Sequence, residues 1–121
     1  MDRNACFKGG WMLALLVVVP AGVRAGAQER AIERGRHIAT NQCAACHVVI
    51  PGQRNEPLLS PPAPPFADIA NRPDTTAQSL GRFIRTTHWD LKSIPMQMPS
   101  PELSPPEINA VAQYILSLRS H

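Results

Sequence analysis

The pentapeptide Cys43-Ala44-Ala45-Cys46-His47 constrains this chain more than any other stretch. On a helical turn, side chains three and four positions apart share one side, so two thiols and an imidazole face the same space. That arrangement suits a haem. Its two vinyl groups lie along one edge, where the thiols can attack to form thioethers, and the His beside them can reach the iron with a ring nitrogen. A protein built this way holds its cofactor by two bonds and an axial ligand instead of a large pocket. Two other chemistries also use C-x-x-C. A thioredoxin-like redox dithiol needs a βαβ surround, and no alternating apolar strand pattern flanks this motif. Structural zinc takes four ligands, usually from two ligand pairs, and only His37, His88 and His121 remain to complete a set. Covalent haem attachment is the expectation.

The start of the chain reads as a secretory signal peptide. Arg3 and Lys8 precede an unbroken apolar run from Trp11 to Val19, Pro20 breaks it, and Ala25-Gly26-Ala27 supplies a small-x-small cleavage pattern. The expected organisation is a signal over residues 1–27 and one domain over residues 28–121. The apolar run is too short to span a bilayer, so no membrane span is expected after processing, and export points to the periplasm. Cys6 would leave with the signal, so that Cys43 and Cys46 remain as a pair. Of 12 basic and 9 acidic side chains, removal of Arg3, Lys8, Arg24 and Asp2 leaves nine and eight. The basicity therefore belongs mostly to targeting, and nucleic acid is not an expected partner. A mature chain of about ninety residues is marginal for a core of side chains alone, so the cofactor is expected to be structural as well.

Helical signals recur along the mature part. Glu29 to Asn41 reads as a helix with Ile32 and Ile38 apolar and Gly35 interrupting it, which suggests a close approach by another backbone. Residues 48–65 read as loop, stiffened by Pro57, Pro61, Pro62, Pro64 and Pro65. A short helix is expected over Phe66–Asn71. Thr75 and Gln78 form a possible capping box for a helix reaching about Thr87, with Leu80, Phe83 and Ile84 on its buried face. Ser104-Pro105-Pro106-Glu107 is a second start signal, and Ile108, Val111, Ala112, Ile115 and Leu118 follow at helical spacing. Between these helices, Met96 and Met98 lie in a proline-stiffened loop. A thioether there can approach the iron from the side opposite His47, which favours the reduced metal; otherwise the two methionines are flexible filling at the haem edge.

Taken together, the mature chain resembles the class I c-type cytochromes over nearly its whole length. Gly35-Arg36-His37-Ile38 leading into Cys43-Ala44-Ala45-Cys46-His47 looks like their first helix and haem motif. The resemblance implies an all-α cytochrome c fold, about four helices wrapped around one covalent haem c, with the N- and C-terminal helices crossing. It places Gly35 at that crossing, against Tyr114. Pro64-Pro65-Phe66-Ala67-Asp68-Ile69-Ala70-Asn71-Arg72 is similar to the family's Pro-x-apolar stretch. Pro64 would orient the His47 ring through its carbonyl, and Arg72 would lie near a propionate. Met98-Pro99 before Leu103-Ser104 resembles the family's Met-Pro segment, favouring Met98 over Met96 as sixth ligand. His88 would instead give bis-His ligation. Trp89 either donates its indole N–H to a propionate or covers the haem.

The function implied is a monohaem carrier of single electrons between redox partner proteins. No acid–base pair or nucleophile beside a substrate cavity is visible, so no enzyme activity is expected. The chain would be a monomer or a small haem subunit of a periplasmic dehydrogenase or oxidase. The alternative from another class is a ligand-binding or sensing haem protein with an open sixth position.

Overall fold

The computed structural model describes residues 21–86, 98 and 100–120. Its helices are α1 (Ala21–Gln42), α2 (Phe66–Ala70), α3 (Ala77–Thr86) and α4 (Pro105–Ser117). The fold is all-α. Among the described residues the only extended pairing is an isolated parallel bridge between His47 and Ala63.

The most extensive packing is between α1 and α4, the first and last helices. α4 starts where the sequence says it should. Ser104 is its N-cap, proline occupies the first turn, and the Glu107 carboxylate accepts from the Ser104 N–H at 3.0 Å and hydroxyl at 2.5 Å. Ile108, Val111 and Ile115 are then buried on one side, each contributing roughly 1.5–3 kcal/mol by leaving water. α1 meets this face at Gly35, where an added Cβ would overlap the Ala110 carbonyl and lie 2.9 Å from the Tyr114 Cβ. The helix tolerates the conformational cost of glycine because only glycine lets the two backbones come this close.

Two helix starts and one side chain differ from expectation. α1 begins at Ala21 and not at Glu29; Ala25, Ala27 and Gln28 are compatible with helix, and Gln28 Nε2 donates to Gln113 Oε1 of α4 at 2.8 Å. Residues 1–20, which carry most of the expected signal peptide, lie outside the described residues. α3 is capped one residue later than the Thr75/Gln78 box. The Ser79 N–H donates to the Thr76 hydroxyl at 3.0 Å and the Thr76 N–H to the Ser79 hydroxyl at 2.9 Å. Thr75 is instead buried, its hydroxyl donating to the Ile69 carbonyl at 2.7 Å. Finally, Leu80 and Ile84 are buried but Phe83 is 56% exposed. Leu80, Gly81 and Ile84 form the buried face of α3, with Gly81 beside Ile108 of α4, and Phe83 stands about a quarter-turn off that face.

The C-terminal end closes the corner between α2 and α3. Arg119 donates from Nε to the Ala70 carbonyl at 2.9 Å and from Nη2 to the Thr75 carbonyl at 2.8 Å. Ser120 donates to Asn71 Oδ1 from its N–H at 3.1 Å and its hydroxyl at 2.7 Å. A turn that α2 could not stabilise alone is thereby tied to the end of α4.

Candidate haem attachment site

α1 ends at Gln42 and leads into a hydrogen-bonded turn that carries the motif. The Cys43 N–H donates to the Ala39 carbonyl at 2.9 Å, and Cys46 and His47 N–H groups donate to the Cys43 carbonyl at 3.1 and 2.9 Å. Cys43, Cys46 and His47 therefore belong to one hydrogen-bonded turn. Both cysteines are free thiols and half-buried. Burial, reinforced by Cys46, pushes the Cys43 thiol up to about 11. A redox dithiol needs the opposite shift, because the thiolate is its nucleophile. Among the described residues no group of three or more His, Cys, Asp or Glu side chains could hold a metal ion; His88 and His121, which could complete a zinc set, lie outside them.

His47 is one of two buried polar side chains among the described residues, with Thr75, each 8% exposed. Its Nδ1 lies 2.7 Å from the Pro64 carbonyl oxygen. A carbonyl only accepts, so Nδ1 carries a proton, and in the neutral ring the lone pair is then on Nε2. Pro64 is itself held in place by the chain around it. The Ala63 N–H donates to the Cys46 carbonyl at 2.9 Å and the Phe66 N–H to the Val48 carbonyl at 3.0 Å. The proline-rich stretch thus runs as a wall beside residues 46–48, and α2 starts at its end. The Phe66 ring packs 5.2 Å from the His47 ring and 6.5 Å from Tyr114. Burial raises the Tyr114 phenol above its usual range, keeping its hydroxyl protonated; it donates to the Val49 carbonyl at 2.7 Å.

The remaining sequence candidates are placed as follows. Met98 is half-buried and packs against the hydrophobic core. Arg72 is exposed, and the guanidinium engaged at its corner belongs to Arg119. Met96, His88 and Trp89 lie outside the described residues. His37 is exposed on α1 beside Asn41, whose amide donates to the His37 carbonyl at 2.9 Å. Gln53 and Arg119 have structural roles that no motif announces: Arg119 bonds carbonyls more than forty residues away, and Gln53 bonds close neighbours in an irregular loop.

The donor set fits a covalent haem: two free thiols on one turn, and an imidazole whose outer nitrogen is tied down and whose inner nitrogen is free to bind iron. These features define a class, a small all-α domain whose first helix ends in a haem-attachment motif. The cytochrome c family model matches residues 32–119. Cytochrome c-552 of Bradyrhizobium diazoefficiens is 36% identical to this chain over 104 residues, covering 86% of this chain and 90% of the relative. No solved structure gives a significant match. The chain belongs to the cytochrome c family. Membership implies covalent haem c and places the protein among electron carriers, not enzymes.

Proposed function

We propose that this chain is exported, processed after Ala27, and carries one haem c that passes single electrons between protein partners in the periplasm. Cys43 and Cys46 would form the thioethers, with His47 Nε2 and the Met98 sulfur as axial ligands. The observation that carries this reading is the oriented imidazole, its Nδ1 2.7 Å from the Pro64 carbonyl oxygen. The bound haem supplies a one-electron centre whose potential follows its axial ligands. The chain's residues supply the rest. Pro64 fixes the tautomer of His47 and raises its basicity as a ligand. Phe66 and Val49 exclude water from its surroundings. Packing of Met98 against the core supports that residue as the opposite ligand. Arg72 and Trp89 remain the propionate-side candidates. No described helix is long and apolar enough to cross a membrane.

The test is the visible spectrum of the purified protein, oxidised and reduced, repeated for Met98→Ala. A low-spin haem c spectrum with the weak far-red sulfur-to-iron band is expected, and that band disappears in Met98→Ala. A high-spin spectrum lacking the band would overturn Met98 ligation and favour an open sixth position. No haem absorption in protein made with intact cytochrome-maturation machinery would overturn the roles of Cys43, Cys46 and His47.

A further inference from the structure

Val49 lies two residues after His47, in a stretch outside any helix, and is 1% exposed. Backbone polar groups buried this deeply need partners. Side chains meet both. The Val49 N–H donates to Gln53 Oε1 at 3.0 Å, and its carbonyl accepts from the Tyr114 hydroxyl at 2.7 Å. Gln53 is itself anchored. Its Nε2 donates to the Asn55 carbonyl at 2.8 Å, and its N–H closes a turn on the Ile50 carbonyl at 3.0 Å. Gly52 has φ +73° at the position where that turn requires a positive value. Tyr114 is fixed from the other side by its packing against Gly35 and Phe66.

The consequence reaches His47. Residues 46–48 and 63–66 hydrogen-bond to each other, so they can shift together without breaking the bond between His47 and Pro64. The Tyr114 hydroxyl ties the His47 side of this paired unit to α4 through Val49, while Arg119 and Ser120 tie only the far end of α2 to the end of α4. We propose that the Tyr114 hydroxyl and the Gln53 side-chain amide are positioning residues for the His47 imidazole, acting through the backbone of Val49. This deepens the proposed function and rests on His47 as an axial ligand. Removing either partner leaves a Val49 backbone group buried and unpaired, and the segment relaxes away from α4 together with the ring it carries.

The experiment uses haem-loaded, reduced protein and follows the His47 Nδ1–H by NMR. In the wild type this proton should be strongly shifted by the haem ring current; its absence from the haem-shifted region would overturn the ligand reading and the proposal with it. Tyr114→Phe keeps the ring and removes only the hydroxyl, and Gln53→Met removes the acceptor. Ser104→Ala, which weakens the α4 cap far from Val49, is the control for lost stability. At matched global stability, Tyr114→Phe and Gln53→Met should each speed Nδ1–H exchange about tenfold over Ser104→Ala, the factor expected from one buried hydrogen bond. Both should also shift the midpoint potential. Gln53→Glu keeps the acceptor oxygen for the Val49 N–H but loses the bond to the Asn55 carbonyl, so its exchange should fall between the wild type and Gln53→Met. Equal exchange in all variants once stability is matched, with the wild-type resonance in place, would overturn the positioning role alone. Should Tyr114→Phe fail to fold, the contrast between Gln53→Met and Gln53→Glu still decides.

Discussion

The crossing of α1 and α4 and the wall around His47 are neighbouring regions held by different forces. At the crossing, Gly35 lies against Ala110 and Tyr114 while Ile108, Val111 and Ile115 are buried in the adjoining core. Shape and apolar burial do the holding there, and neither has much directional preference. At the wall, backbone and side-chain hydrogen bonds join Cys46 to Ala63, Val48 to Phe66, His47 to Pro64 and Val49 to both Tyr114 and Gln53. Hydrogen bonds weaken steeply as their angle opens. The crossing therefore places the end of α1 approximately, and the wall sets the orientation of the imidazole that the motif supplies. Tyr114 belongs to both regions, its Cβ at the crossing and its hydroxyl in the wall.

The largest blow to this arrangement should come from Gly35→Val. Its side chain would have to displace the backbone of α4, not a flexible side chain. Overpacking of that kind costs about 3 kcal/mol or more. Denaturant unfolding of the haem-loaded protein measures it, and an unchanged midpoint would mean that the helices do not cross at Gly35. Arg119→Met is next. It removes two bonds from a charged donor to the Ala70 and Thr75 carbonyls, at a cost of about 2 kcal/mol. Arg119→Lys should recover part of that loss in the same measurement, which would show that the corner between α2 and α3 depends on direction as the wall does.

The smallest effect is a pH dependence at the start of α4. The Ser104 hydroxyl, then the Ser104 N–H, hold the exposed Glu107 carboxyl below its usual value of 4.5, and Arg34 adds a weaker attraction from 3.7 Å. A carboxyl with a lowered folded-state pKa contributes stability above its unfolded value and loses it as pH falls through the folded one. The stability gap between wild type and Glu107→Gln should therefore be fully present above pH 4.5 and close below it. Thermal unfolding across that range checks the sign. A gap that widened on acidification would mean that the carboxylate is not the acceptor for Ser104.

Much of the fold was legible because its signals are local. The α4 start rests on Ser104, the prolines and Glu107 within four consecutive residues, and the buried face of α4 rests on a repeat within one element. The same locality explains the errors. Thr75/Gln78 and Thr76/Ser79 are plausible capping pairs that start one residue apart, and the choice fell to Thr76 once Thr75 was buried against Ile69 and bound by Arg119. Phe83 matched the apolar spacing of α3, but the face that helix buries, Leu80, Gly81 and Ile84, is decided by its packing on α4, a contact between elements. Gln53 gave no signal at all, since its acceptor oxygen matters only when Val49 is buried beside it.

By itself the sequence determined the chemistry available to this protein. The spacing of Cys43, Cys46 and His47 follows from covalent order, and no packing can change which groups share that turn. Helical periods and caps likewise follow from neighbours along the chain. Only the tertiary structure decided where those groups are held. The Pro64 carbonyl, the Tyr114 hydroxyl and the Arg119 guanidinium each find partners 17 to 65 residues away. Bonds of that reach form only where burial has already removed water as a competitor and packing has fixed the distance.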